Sequence, residues 1–142
     1  MLAAAAAAVL FSLADPQGDA RGDGSYQLPA AVEEAAVDLR SFTALDDSGR
    51  LQLRLGLGRL SGAGGAPNGF SAPQLDVFIA DGGVRNPDLA GTGFTAPAGT
   101  GWRYHVSANG WFARVVAAPG AEAPAGEVRA RVEGADVVID TP

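Results

Sequence analysis

A run of alternating leucines constrains the fold of this chain more strongly than any other feature. In the segment 51–57 leucine occupies every odd position, and glutamine, arginine and glycine occupy the even ones. Successive side chains of a β-strand point to opposite faces of the sheet, whereas an α-helix would scatter these leucines around its circumference. The segment therefore predicts a strand with one buried face and one polar face.

Further short apolar segments are separated by residues that favour turns, which indicates additional strands. They are 10–13, 35–45, 75–80, 102–107, 111–116, 128–132 and 137–139. Hairpin turns are expected at 46–49, at 108–110, where Asn-Gly favours a tight turn, and at 133–134. Seven or eight strands at this spacing predict an all-β fold, a β-sandwich with long Gly/Pro-rich loops.

Three segments have less regular patterns. Residues 75–80 predict a strand that is buried on both faces except at Asp76, and 61–69 form a loop by composition. Residues 81–101 are almost all turn formers. A structureless segment of that length is uncommon in a compact domain and is often functional.

The chain is long enough for one domain with a sizeable core. Residues 1–9 are interpreted as a signal remnant or a linker, and 10–142 as a single β-sandwich module. The apolar N-terminal run lacks the positively charged start of a secretory signal. It is also shorter than the about 20 residues that a membrane span needs, so no span is expected.

Composition argues against several functions. With ten basic residues and a net charge of −6, the chain has no electrostatic footprint for nucleic acid. No cysteine is present, and a hydrolase triad would depend on the single histidine, His105, which is more simply a residue on a sheet face. Acidic residues cluster in glycine-rich loops, where they stay ionised rather than serving as proton donors. We expect no enzymatic activity.

The acidic segment 15–29 has the composition of a cation-organised loop. Asp15, Asp19 and Asp23 are spaced by four, and the intervening glycines allow the chain to fold back so that these carboxylates converge. Calcium takes six to eight oxygen ligands of this kind. The alternative is a solvated loop between strands, and the segment alone leaves both open.

Several motifs occur in a characteristic order along the chain. They are Asp15-Pro16-x-Gly18-Asp19, Gly22-x-Gly24-Ser25-Tyr26-x-x-Pro29, Val37-Asp38-Leu39, Asn68-Gly69-Phe70-Ser71, Leu75-Asp76-Val77-Phe78, Gly101-Trp102-x-Tyr104 and Gly110-Trp111. Over about 10–142 the chain resembles the C-terminal binding-module family of glucodextranase, which is similar to the DOMON and family nine carbohydrate-binding modules. The resemblance implies an immunoglobulin-like antiparallel β-sandwich. Two positions depart from the family pattern: Ala20 replaces a usual acidic residue, and Asp23 replaces a usual proline.

The resemblance implies a non-catalytic module, secreted or at the cell surface, that binds a polysaccharide or a cell-envelope glycan. Trp102, Tyr104 and Trp111 are the candidate sugar-stacking residues, although tryptophans on strands are more often buried. Calcium is expected to stabilise the fold through Asp15, Asp19 and Asp23, with Asp38 and Asp76 as further candidate ligands. Asp76, which lies in an apolar strand, could instead hydrogen-bond to loop amides.

Two alternatives stay open at this point. The first is a purely structural cell-surface or assembly module, with the same aromatic residues in its core and no sugar ligand. The second concerns the C-terminus, because the resembling family continues beyond Pro142. The module is then either a shortened sandwich sealed by the strand at 137–139, which we favour, or one that associates through an open C-terminal sheet edge.

Overall fold

The computed structural model describes residues 7–21, 27–62, 64–80, 83, 86–89 and 91–142. Ten strands form in these ranges: β1 Ala8–Ala14, β2 Leu39–Asp47, β3 Arg50–Leu57, β4 Leu75–Ile79, β5 Asp88–Leu89, β6 Phe94–Thr95, β7 Tyr104–Ala108, β8 Ala113–Ala117, β9 Arg129–Glu133 and β10 Asp136–Asp140. The prediction of an all-β fold is confirmed. None of the helices within these ranges is long and apolar enough to cross a membrane.

The strands form two main antiparallel sheets that face each other. The larger sheet has the order β1-β2-β3-β10-β9, the smaller one has the order β4-β7-β8, and β5 and β6 pair as a separate small hairpin. Inward-facing side chains of both main sheets form one apolar core. Its buried members are Ala44, Leu53, Leu55, Leu57, Phe70, Leu75, Val106, Ala108, Val137 and Ile139.

The alternating leucines lie at the centre of this core. Leu53 and Leu55 are 1% and 5% exposed and contribute to the inner face of β3, which pairs with β2 on one side and β10 on the other. Burying a side chain of this size stabilises the fold by about 1.5–3 kcal/mol. The period-two pattern therefore predicted both the strand and its buried face correctly.

Two predicted hairpin turns are found where the sequence placed them. Ser48 and Gly49 connect β2 and β3 with φ angles of 59° and 84°. Positive φ at both central residues gives the turn type whose twist matches that of the adjoining strands. Gly134, with φ of 62°, lies in the equivalent turn between β9 and β10.

Three local predictions are wrong in detail. The predicted strand at 35–45 begins with a 3-10 turn, Glu34–Ala36, and only becomes β2 at Leu39. The turn-rich segment 81–101 contains the β5–β6 hairpin. Strand β4 is fully buried only at Leu75, because it is an edge strand and its inward-facing Val77 and Ile79 adjoin open cavities.

The strand at the C-terminus lies inside the larger sheet. β10 pairs with β3 along one edge and with β9 along the other. Association through an open edge of this strand, the less favoured alternative, does not fit, because both of its edges carry strand partners. The outer strands of the larger sheet are instead β1 and β9.

Candidate functional site

The predicted ion ligands do not converge in the described part of the chain. Asp15 and Asp19 are exposed, and Asp23 lies outside the described residues. Within the ranges that the structure describes, no group of three or more His, Cys, Asp or Glu side chains is arranged to hold a metal ion. Calcium binding therefore stays a prediction.

Asp38 organises the acidic loop through protein contacts. Its carboxylate is buried and accepts the backbone N–H of Gly18 at 3.0 and 3.2 Å. The Nε atom of Arg40 lies 2.6 Å from the same carboxylate. A buried charge needs such a partner. Asp38 thus ties the loop at Gly18 to the start of β2.

Asp76 lies on the outer surface of the smaller sheet beside the only histidine. One carboxylate oxygen is 2.7 Å from His105 Nε2, and the other accepts the side-chain amide of Gln74 at 3.1 Å. Burial, the largest single influence, raises the pKa of Asp76. Hydrogen bonds from His105 and Gln74, with the positive charge of a protonated His105, outweigh burial, so the pKa of this carboxyl lies below its ordinary value of 3.8.

Trp102 is part of a packed aromatic cluster on the same surface. Phe78 stacks on His105 with ring centroids 4.2 Å apart, and Trp102 contacts both rings edge-on. The Trp102 side chain is 6% exposed, and its indole N–H donates to the Asp88 carbonyl at 2.7 Å. Its ring presents no open face to solvent, which corresponds to the core alternative.

Tyr104 has an intermediate environment. It is half-buried at the start of β7, next to Ile79 of β4. The Arg103 guanidinium lies 5.4 Å from its ring centroid, in the geometry of a cation–π contact. Tyr104 therefore offers a smaller free surface than an exposed aromatic residue would.

Trp111 and Phe112 project from the loop between β7 and β8, which we call the hairpin tip (residues 109–112). Their exposed fractions are 58% and 37%. The predicted strand at 111–116 begins only at Ala113, because the Asn109 side chain accepts the backbone N–H groups of Trp111 and Phe112 at 2.9 and 3.1 Å. The loop is thus longer than a two-residue Asn-Gly turn, and both aromatic residues lie outside the strand.

A neighbouring loop holds the hairpin tip in place. Asn68 donates its backbone N–H to the Gly110 carbonyl at 2.9 Å and its side-chain amide to the Asn109 carbonyl at 2.7 Å. A Cβ at Gly110 would collide with the Phe70 carbonyl and with Ala66, so only glycine permits this close approach. Phe70 is itself fully buried in the core. Trp111 therefore stands exposed on a backbone that is fixed to the core.

Comparison with known proteins places the chain in a family. The family model of the C-terminal, SLH-like binding module of glucodextranase matches residues 10–141. The chain belongs to this family. No curated protein and no solved structure matches this chain. The family consists of binding modules rather than catalytic domains, and the further likeness to DOMON and family nine modules stays a prediction.

Sequence reasoning missed the residues that support the hairpin tip of this module. Asn68-Gly69-Phe70 stood out in the sequence only as part of a motif. In the structure, Asn68 hydrogen-bonds to the hairpin tip and Phe70 packs against Gly110. Sequence reasoning also missed Arg114, whose guanidinium lies 5.2 Å from the Phe112 ring centroid. The spacing of two residues between Phe112 and Arg114 was the available signal for that neighbour.

The contacts of Asp76 predict a pH dependence of stability. Because its pKa is lower in the folded chain than its ordinary value, its contribution is fully present above about pH 5 and is lost as the pH falls through the acid range. We expect wild type to lose more unfolding free energy than Asp76→Asn between neutral and acid pH, measured by urea denaturation. Asp88→Asn, an exposed carboxylate in β5, serves as the control. If wild type and Asp76→Asn lose the same unfolding free energy between neutral and acid pH, the Asp76 carboxylate contributes nothing to the pH dependence of stability.

Proposed function

We propose that this module binds a polysaccharide or a cell-envelope glycan through the hairpin tip, with Trp111 as the principal contact. The observation that carries the proposal is that the Trp111 side chain is 58% exposed on a backbone fixed by Asn68 and Asn109. Tryptophan is enriched at binding interfaces, and Trp111 lies beside the partly exposed Phe112. Membership of a binding-module family supports the same conclusion.

The chemistry of the hairpin tip suits a sugar ring. The C–H face of a pyranose is apolar, and an aromatic face with its negative quadrupole complements it. A fixed loop loses little conformational entropy on binding, which favours affinity. The exposed Arg114 guanidinium beside Phe112 offers several N–H donors to sugar hydroxyl groups.

We place this activity outside the cell, in the medium or at the cell surface. Support comes from the family, whose modules belong to a polysaccharide-degrading enzyme. The acidic net charge of −6 and the absence of cysteine fit that setting and do not decide it. Detection of the native protein in washed cytosol, with no export signal encoded upstream, would contradict this placement.

A purely structural or assembly role is the second candidate. The observation in its favour is β1, which is exposed along its whole length and carries Val9, Leu10 and Leu13 with about 60% of each exposed. Association through this strand and glycan binding at the hairpin tip are compatible, because they involve strands of different sheets.

Removal of the Trp111 side chain tests the glycan proposal. On an array of soluble and cell-envelope polysaccharides we expect wild type to bind at least one glycan, and Trp111→Ala to bind it about 30-fold more weakly, since a central aromatic contact is worth about 2 kcal/mol. The control variant Phe94→Ala removes another exposed aromatic side chain, in β6, and should leave the glycan affinity unchanged.

Stability measurements make this test specific. The unfolding free energy of Trp111→Ala should lie within about 0.5 kcal/mol of the wild-type value, because the side chain is exposed. Absence of binding to every glycan by folded wild type would reject the proposal in favour of the structural role. Equal losses in Trp111→Ala and Phe94→Ala would reject the hairpin tip as the site.

We further propose calcium as a ligand of the acidic loop, with Asp15 and Asp19 as the available exposed carboxylates. The fit within the described residues is incomplete, since Asp38 is already neutralised by Arg40 and Asp76 is engaged by His105. Further oxygens would have to come from backbone carbonyls or from Asp23.

Calcium binding predicts a change in melting temperature. At a hundredfold excess over Kd a ligand stabilises the folded state by about 2.7 kcal/mol, which corresponds to about 5–10 °C for a domain of this size. We expect that increase between excess EDTA and millimolar calcium, with magnesium as the control for ionic strength. Asp19→Asn should reduce the increase, whereas Asp88→Asn should not. A melting temperature that does not change would rule out the ion.

A further inference from the structure

The two facing sheets differ in width. The larger sheet has five strands and the smaller one has three. Since neighbouring strands lie about 4.8 Å apart, two strands of the larger sheet extend about 10 Å beyond the smaller one. At the other side β8 approaches β9, so the excess width falls at β1 and β2. We call the inner face of these two strands the overhang.

The overhang is apolar. It is open along β1, whereas its β2 part is partly covered, with Ala44 buried in the core. Phe11 and Leu13 pair with Ala44 and Phe42 in the register that points towards the core, yet they are 47% and 60% exposed. The Phe11 ring contacts Phe42 edge-on at 5.5 Å. Two adjoining open cavities of about 400 and 330 Å³ separate the overhang from β4, and Phe78 lines both.

The edge strands β8 and β9 carry charged residues, whereas the edge strand β1 carries none. β9 alternates Arg129, Arg131 and Glu133, and β8 carries Arg114. Between Ala8 and Ala14, by contrast, the β1 sequence AVLFSLA contains no charged residue and no proline. Edge strands in soluble proteins are normally protected against pairing by charge, proline or a covering segment. A β-bulge also hinders edge pairing, and β1 has one between Val9 and Phe11.

We propose that a second copy of this chain covers the overhang in a two-fold symmetric dimer. The inner face of β1 and β2 packs on the same face of the partner, so each overhang supplies the layer that the other lacks. A two-fold interface requires a self-complementary surface. The uncharged β1 meets this requirement, and the net charge of −6 arises from residues outside that strand.

The arrangement also accounts for the edge of β4. In the dimer the partner's overhang occupies the layer of the smaller sheet, so the partner's β1 lies alongside β4. Each layer then consists of five strands from one protomer and three from the other. Aligned packing of two such layers buries side chains across about 10 Å, as in ordinary sandwiches. A glycan is a poorer occupant, because the overhang offers few hydrogen-bonding groups. This inference does not depend on the hairpin tip, which connects β7 and β8 of the smaller sheet.

Light scattering after size-exclusion chromatography tests the dimer. Over a series of concentrations we expect the full chain to approach twice its mass of 14.3 kDa. Leu13→Lys should weaken association at least about tenfold, because the lysines of the two protomers would lie near the two-fold axis and repel each other. Leu10→Lys, at a site that is 58% exposed, is a second variant in case the first folds poorly. Phe94→Lys also replaces an exposed large apolar side chain and should leave association unchanged.

The outcomes separate the occupants of the overhang. A monomer at every concentration, with a cooperative melt, would overturn the dimer and leave the overhang to a different partner. A dimer that survives both lysine substitutions in β1, or that Phe94→Lys weakens equally, would place the contact elsewhere and would also overturn it. Open-ended association would exclude a closed two-fold contact.

Discussion

The packing of the β3 leucines against the smaller sheet is the interaction on which the rest of the molecule depends. Leu53 and Leu55 lie at the centre of the larger sheet, opposite Val106 and Ala108, which are fully buried in β7. Only three strands cover this five-stranded sheet. The same core therefore fixes the hairpin tip, through Phe70 beneath Gly110. Among the residues that the structure describes, none covers β1, which is exposed along its length.

Local patterns predicted much of this architecture. Alternation over 51–57 identified β3, and Ser48-Gly49 and Glu133-Gly134 identified two tight turns, because each depends on neighbouring residues alone. The pairing of β10 with β3 joins segments about eighty residues apart, and no local pattern encodes it. The 3-10 turn before β2 was likewise missed, since its Ala35 carbonyl accepts the backbone N–H of Arg59, which is distant in sequence.

The candidate site shows the same limit. Trp102 and Trp111 each precede a strand and are equivalent in local sequence, yet one is buried and the other exposed. The difference arises from tertiary contacts: Phe78 and His105 cover Trp102, whereas Asn68 and Asn109 hold Trp111 outward. The family motif identified the positions of both tryptophans, and only the assembled sheets separate the structural one from the candidate ligand contact.

The fluorescence of single-tryptophan variants tests this division most directly. Trp102→Phe leaves Trp111 as the sole tryptophan, and Trp111→Phe leaves Trp102. We expect Trp111 to emit at long wavelength and to be quenched readily by acrylamide, and Trp102 to emit at shorter wavelength and to be protected until the protein unfolds. Equal quenching of the two residues in the folded protein, or easier quenching of Trp102, would contradict the division between a buried Trp102 and an exposed hairpin tip.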